Sequence, residues 1–269
     1  MLLSMDDIVL DRAVKPPGTI GSPELVGFWD GSLIAYSCAV YVRWRMKQKN
    51  IDGSDMFSVS LVCSKARVTP AKGITAPRSE ISGFLILTRL LKVVVNSMDD
   101  KPEMITLAGD SQCTISATEK SCGTLAPYFA SRVSEAMSNL EDLSECTMVQ
   151  EIQHVPGSMN PADIPTRART TPEEVKSGSV WQSGPSYLAG PKENWPFSRD
   201  FLDILPSHEI RVPKAWFNAV SINRDASMGS PKFVRVIEGI MFKSNVWSKI
   251  AKGASKNGTT WRCIEAGCQ

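Results

Sequence analysis

Three β-patterned runs follow one another before the first helical stretch, and that order narrows the fold more than any other feature. LVGFWD (25–30) is a short apolar run closed by the turn signal Gly31-Ser32, and LIAYSCAVYVRW (33–44) is rich in β-branched and aromatic residues. The pair reads as a hairpin. A polar, turn-containing stretch, MKQKNIDGSD (46–55), leads into FSVSLVCSK (57–65), which alternates as a third strand does. Pro77 then opens a helical stretch in which Ile81, Phe84, Leu85, Thr88 and Leu91 recur at helical spacing. MITLAGD (104–110) reads as a fourth strand ending on an acid, and a polar segment follows it. Tyr128–Leu140 reads as a helix with Phe129, Val133, Ala136, Met137 and Leu140 on one face, and TMVQEIQHV (147–155) as a fifth strand. A Pro/Gly loop and a short capped turn end the unit near Arg167. The order βββαβα(α)βα predicts an α/β fold with a mixed five-stranded sheet flanked by helices.

Four carboxylates sit at the ends of these elements. Asp30 closes the first strand, Glu80 lies in the first turn of the first helix, Asp110 closes the fourth strand, and Asp163 follows the fifth within HVPGSMNPAD. A single acid at a strand end is usually a solvated cap. Four in this arrangement suit a different chemistry, because hard divalent cations take oxygen ligands and need compensating negative charge. In two-metal phosphodiester hydrolysis, ions roughly 3.5–4 Å apart clamp the attacking and leaving oxygens. His154 stands nine residues before Asp163, at the mouth of the loop, where a mobile imidazole can carry a proton. Asn160, Pro161 and Asp163 also have a local logic as N-cap, first-turn proline and dipole-facing acid. Pro165 would interrupt the second turn, so a helix there is expected to be short.

PELVGFWDGSLIAYSCAVYVRW, LVCSKARVTPAKGITAPRSE, ITLAGDSQ and HVPGSMNPADIPTR together resemble the ribonuclease H region of BEL/Pao-type retrotransposon polyproteins over about residues 20–170. Further on, Trp181, Gly184-Pro185, Leu188 and Trp195-Pro196 resemble the segment that follows this region in those polyproteins, ahead of the integrase. The resemblance implies a ribonuclease H-like fold and endonucleolytic hydrolysis of the RNA strand of RNA–DNA hybrids. By matching motifs it makes Asp30, Glu80, Asp110 and Asp163 the metal-binding acids and His154 the loop histidine. It implies two Mg²⁺ ions, with Mn²⁺ able to substitute, and an RNA–DNA hybrid as partner. Reverse transcriptase and integrase regions of a parent polyprotein are the further partners it suggests. Hybrid recognition rests on 2′-hydroxyl contacts to RNA and phosphate contacts to DNA. Lys65, Arg67, Lys72 and Arg78 are candidates for the phosphates, against the plainer reading of a solvated loop.

Other readings of the same residues fit less well. Asp110 and Glu145 have 34 residues between them, near the spacing of integrase-type acids, but Glu145 precedes a strand and that reading leaves Glu80 and Asp163 idle. Related exonucleases place an acid two residues after the first Asp, where this chain has Ser32. The main alternative is a catalytically silent module of the same fold that binds nucleic acid or protein, since fold alone does not grant function.

The chain divides into a lead-in (1–22), the ribonuclease H-like domain (23–170) and an extension (171–269) that is expected to be poorly structured. From about residue 211 the extension is basic, with ten Lys/Arg against three Asp/Glu, whereas residues 1–210 hold twenty against twenty-five. A basic end can meet phosphates or simply be solvated. Asp6 and Asp7 interrupt the early apolar stretch, so it does not read as a secretory signal, and no apolar run approaches a membrane span. An intracellular protein, cytoplasmic or nuclear, is expected. Seven scattered cysteines do not read as a disulfide framework, and Cys263 and Cys268 lack the further ligands of a zinc site.

Overall fold

The computed structural model describes residues 14–199, 205–211, 241–242, 245–251 and 260–263. The chain forms two compact units, Met1–Arg211 and Val212–Gln269. In the second, three short strands pair antiparallel in chain order: Met241–Phe242, Asn245–Ala251 and Thr260–Cys263. Most of the basic tail, the early acids Asp6 and Asp7, and the side chains of Cys263 and Cys268 lie outside the described residues.

The first unit is built on a mixed sheet. Strands β1 (Glu24–Gly31), β2 (Ala35–Lys49) and β3 (Asp55–Val68) form an antiparallel meander. Helix α1 (Ala76–Ser97) carries the chain back so that β4 (Met104–Gly109) lies parallel to β1 on its other side. Helices α2 (Gln112–Thr118) and α3 (Pro127–Ser144) follow. The expected fifth strand is present as two short pieces, β5 (Met148–Val149) and β6 (Gln153–His154), both parallel to β4. The pairing slips by one residue between them, from Ile105 opposite Val149 to Ala108 opposite Gln153, as at a β-bulge. The strand order is β3-β2-β1-β4-β5, a mixed sheet as the element order predicts. The segment after Asp110, read from sequence as polar, contains α2 because Cys113, Ile115 and Ala117 turn inward.

Alternation along the strands gives the sheet two apolar faces. Leu25 and Trp29 of β1, Cys38, Val40, Val42 and Trp44 of β2, and Ile105 and Leu107 of β4 pack against α1 and α3. The helices meet them with Ile81, Phe84, Leu87 and Leu91, and with Phe129, Val133, Ala136 and Leu140. Met137, expected on that face, is 39% exposed, one position round from Ala136. The opposite face presents Val26, Phe28, Ala39, Tyr41 and Ala108. It is covered by residues from the later chain, among them Val155, Ala162, Ile164, Trp181, Leu188 and Trp195. Those residues come from short turns: a 3-10 segment at Pro161–Thr166, α4 (Pro172–Val175), α5 (Val180–Ser183) and further 3-10 turns at Ser186–Ala189 and Lys192–Asn194. Among the described residues no helix is long and apolar enough to cross a membrane.

Candidate active site

The register of β1 against β4 brings two of the acids together. The strands are parallel and pair Trp29 with Gly109, so the next residues, Asp30 and Asp110, stand side by side at the same strand ends. Neighbouring strands lie about 4.8 Å apart, close enough for the two carboxylates to reach one ion. This edge is also where the order reverses, β2 and β3 running to one side of β1 and β4 to the other, the usual place for a ligand in such sheets.

Glu80 arrives from the second turn of α1, not the first as expected, because the helix begins at Ala76, ahead of Pro77. That turn sits close on β1 because Gly31 and Gly83 have no side chains. A Cβ on Gly31 would collide with the backbone of Ser79 and Glu80, and one on Gly83 would lie 2.6 Å from the Asp30 carbonyl. One carboxylate oxygen from each of Asp30, Glu80 and Asp110 lies within 4.8 Å of the others.

This grouping is costly without a cation. Burial pushes the Asp30 carboxyl up to about 6, against a hydrogen bond donated by the Thr166 hydroxyl and with added repulsion from Asp110 and Asp163. Burial, then Asp30 and Asp110, push Glu80 up to about 10. Asp110 is also raised by burial, while its own backbone N–H and Asn160 oppose the rise. Glu80 Oε2 is buried and has no hydrogen-bond partner. An all-carboxylate donor set with an orphaned oxygen fits a hard divalent cation.

Asp163 stands close enough to act electrostatically on Asp30, Glu80 and Asp110, but its carboxylate is engaged elsewhere. Arg167 donates to Asp163 Oδ2 through Nε at 2.7 Å and pairs with Glu174 through a second nitrogen at 3.0 Å. The residue begins no regular α-helix: Pro165 leaves a 3-10 segment, as its position predicts, with the Asn160 side chain accepting from the Ala162 N–H. His154 ends β6 beside Gly109 rather than standing free in a loop. It lies near enough to Asp110 to favour that residue's ionised form. Its N–H donates to the Ser198 carbonyl at 2.8 Å, and the Ser198 N–H donates back at 2.9 Å.

Asn160 does more than cap. Its buried amide donates to the Trp29 carbonyl at 2.8 Å and to Asp110 Oδ1 at 3.1 Å, joining the loop to both acid-bearing strands. Gly157 fits against the Asp110 carboxylate, 2.8 Å from where a Cβ would stand. Thr166, almost fully buried, holds Asp30. Sequence reasoning passed over Thr166 because nothing local marks it, whereas the cap at Asn160 already pointed to a fixed side chain. Ser32, two residues beyond Asp30, closes the hairpin turn and donates to the Thr166 carbonyl at 2.9 Å.

Of the cations named from sequence, Lys65, Arg67 and Lys72 are exposed and form no ion pair among the described residues. Arg78 is committed to Glu209, a fully buried carboxylate, at 2.6 Å. Glu145 caps the end of α3 and is exposed, outside the acidic group.

Residues 2–111 match the family model described as Pao retrotransposon-like RNaseH-like domain. No curated protein matches the chain. Among solved structures, it is similar to RNase H1 from the halophilic archaeon Halobacterium salinarum NRC-1, at 16% identity over 52% of this chain and 90% of that one, with a TM-score of 0.33. The N-terminal RNase H domain of Rv2228c from Mycobacterium tuberculosis shares 13% identity over 52% of this chain and 92% of its own, with a TM-score of 0.36. LC11-RNase H1, solved in complex with an RNA/DNA hybrid, shares 10% over 52% and 91%, with a TM-score of 0.34.

Proposed function

We propose that this chain, whose residues 2–111 match the family model described as Pao retrotransposon-like RNaseH-like domain, is an endoribonuclease that hydrolyses the RNA strand of RNA–DNA hybrids at the Asp30, Glu80 and Asp110 cluster. The observation that carries this reading is the convergence of three carboxylates, Asp30 buried and Glu80 and Asp110 half-buried, from the ends of β1 and β4 and from α1, with Glu80 Oε2 left without a partner. Divalent cations held there would supply Lewis acidity and charge neutralisation at the phosphodiester. Asp30 and Asp110 hold their oxygens toward that position through Thr166 and Asn160, and Glu80 through the close packing at Gly31. Asp163 is the fourth ligand of this reading. His154, beside Asp110, is the group that carries a proton on its imidazole. Lys65, Arg67 and Lys72, all exposed, are the phosphate contacts of this reading. Reverse transcriptase and integrase regions of a parent polyprotein remain partners of this reading.

One observation favours a second reading. Arg167 holds Asp163 in an ion pair, which withdraws the fourth acid from the three-carboxylate group. In this second reading the chain is a catalytically silent module that binds nucleic acid or protein.

The test is incubation with a labelled RNA–DNA hybrid and Mn²⁺ beside Asp110→Asn. Cleavage confined to the RNA strand and reduced by about a thousandfold or more in the variant is expected, since the substitution removes a ligand from the metal site. Hybrid binding with no cleavage by the unaltered protein would establish the silent module instead.

A further inference from the structure

The tryptophan- and proline-marked segment after the acidic site has no part in the function stated so far. Its marked residues are its contacts with the sheet. Trp181, Leu188 and Trp195 are all buried on the face that α1 and α3 leave open. Gly184 lies at φ +77°, and a Cβ there would stand 2.7 Å from Val59 and 3.2 Å from Tyr41. The backbone is held from below: the Tyr41 hydroxyl donates to the Trp181 carbonyl at 3.0 Å. Arg43 donates to the carbonyls of Leu188 and Gly190, each at 2.7 Å.

The same segment reaches the acidic site from the other side. The Tyr187 hydroxyl donates to the Met159 carbonyl at 2.9 Å, and Met159 precedes Asn160, whose amide holds Asp110. Ser198 exchanges two backbone hydrogen bonds with His154. Phe197, just before it, packs edge-on against Phe28, Tyr187 and Trp195. One end of this segment is therefore fixed to the sheet, and the other to the residues that orient Asp110 and carry His154.

We propose that residues 180–198 are a positioning clasp of the nuclease site, with Tyr187 and Phe197 as positioning residues that act through Met159–Asn160 and through His154. The inference rests on the nuclease reading for its effect on catalysis, but not for the clasp itself. It moves the end of the functional unit from about residue 170 to at least Ser198. It also makes the backbone of His154 a fixed strand end.

The full chain tests this with Tyr187→Phe, which removes only the hydroxyl, and Phe197→Ala, which loosens the Ser198 bridge. Misplacing a catalytic group by about an ångström can cost up to about a hundredfold, so a kcat loss of about tenfold with KM within about twofold is expected for Tyr187→Phe. Hydrogen exchange at the His154 and Ser198 amides should be slow in the unaltered protein and about tenfold faster in Phe197→Ala. A Tyr187→Phe protein that loses thermal stability but keeps kcat would overturn the positioning role. If the unaltered protein cuts no hybrid, the nuclease reading fails by itself. The clasp then stands or falls on exchange: unchanged protection of both amides in Phe197→Ala would overturn it.

Discussion

The two faces of the sheet are covered in different ways. On one, α1 and α3 supply apolar stripes, and a helix satisfies its own backbone hydrogen bonds, so the sheet facing it needs only apolar side chains. On the other, the cover is a run of short turns in which the carbonyls of Trp181, Leu188 and Gly190 turn to the sheet rather than to the run. There the sheet must provide donors, and it does so with Tyr41 and the buried Arg43 among the apolar residues. Arg43 also pairs with Glu24 at 2.8 Å, and its guanidinium stacks over Phe57. The lesson is that an irregular layer can close a sheet only where polar side chains replace the hydrogen bonds that a helix makes for itself.

The largest effect expected from this difference is at Arg43. Arg43→Met strands the buried Leu188 carbonyl and the half-buried Gly190 carbonyl and removes one cation from Glu24, a loss of about 3 kcal/mol. Leu91→Met on the helical face keeps its volume and should cost less than about 1.5 kcal/mol. Denaturant unfolding measures both, and equal losses would break the comparison.

A smaller effect concerns the acidic edge between the faces. Asp30 rises from its ordinary 3.8 to about 6, and Glu80 from 4.5 to about 10, so the native protein holds protons that the unfolded chain has released. Stability without metal is therefore greatest below those ordinary values and is lost as pH rises through about 6 for Asp30 and on toward about 10 for Glu80. In EDTA the melting temperature should fall by several degrees across that window. Added Mg²⁺ should flatten the fall, because a bound cation stabilises the ionised carboxylates. A melting temperature that rises with pH in EDTA would contradict the burial of these acids.

The smallest effect lies on the outer surface of the helical layer. Arg89 and Glu135 join α1 to α3 at 2.6 Å, but both side chains are about half exposed. Arg89→Ala should change stability by less than about 1 kcal/mol, measurable by the same unfolding experiment, since solvent and salt screen such pairs. A loss approaching that of Arg43→Met would mean that the helical layer also depends on polar fastening.

Much of the fold is legible from the chain. Apolar runs and β-branched and aromatic residues bounded by turn signals, with alternation in β3, mark the strands, and Phe84, Leu91, Phe129 and Val133 mark the inward faces of α1 and α3, because a helix that buries one side must repeat its apolar residues at a fixed period. The four acids are visible as residues at element ends. What alternation cannot register is a layer without a period. Trp181, Leu188 and Trp195 are spaced by turns, so their burial on the second face follows from no local pattern. The break between β5 and β6 is hidden for a similar reason, since a bulge is defined by its partner strand.

By itself, then, the sequence determined which elements form, in what order, and which carboxylates they carry at their ends. It did so because helix and strand periods and turn chemistry are written in neighbouring residues. Only the tertiary structure decided that Asp30 and Asp110 share a register, that Gly31 lets Glu80 approach them, and that Arg167 engages Asp163. It also decided that Asn160, Thr166 and the clasp hold the group in place. Those outcomes depend on distances between residues far apart in the chain, and such distances exist only once the sheet has set its register and both faces have been covered.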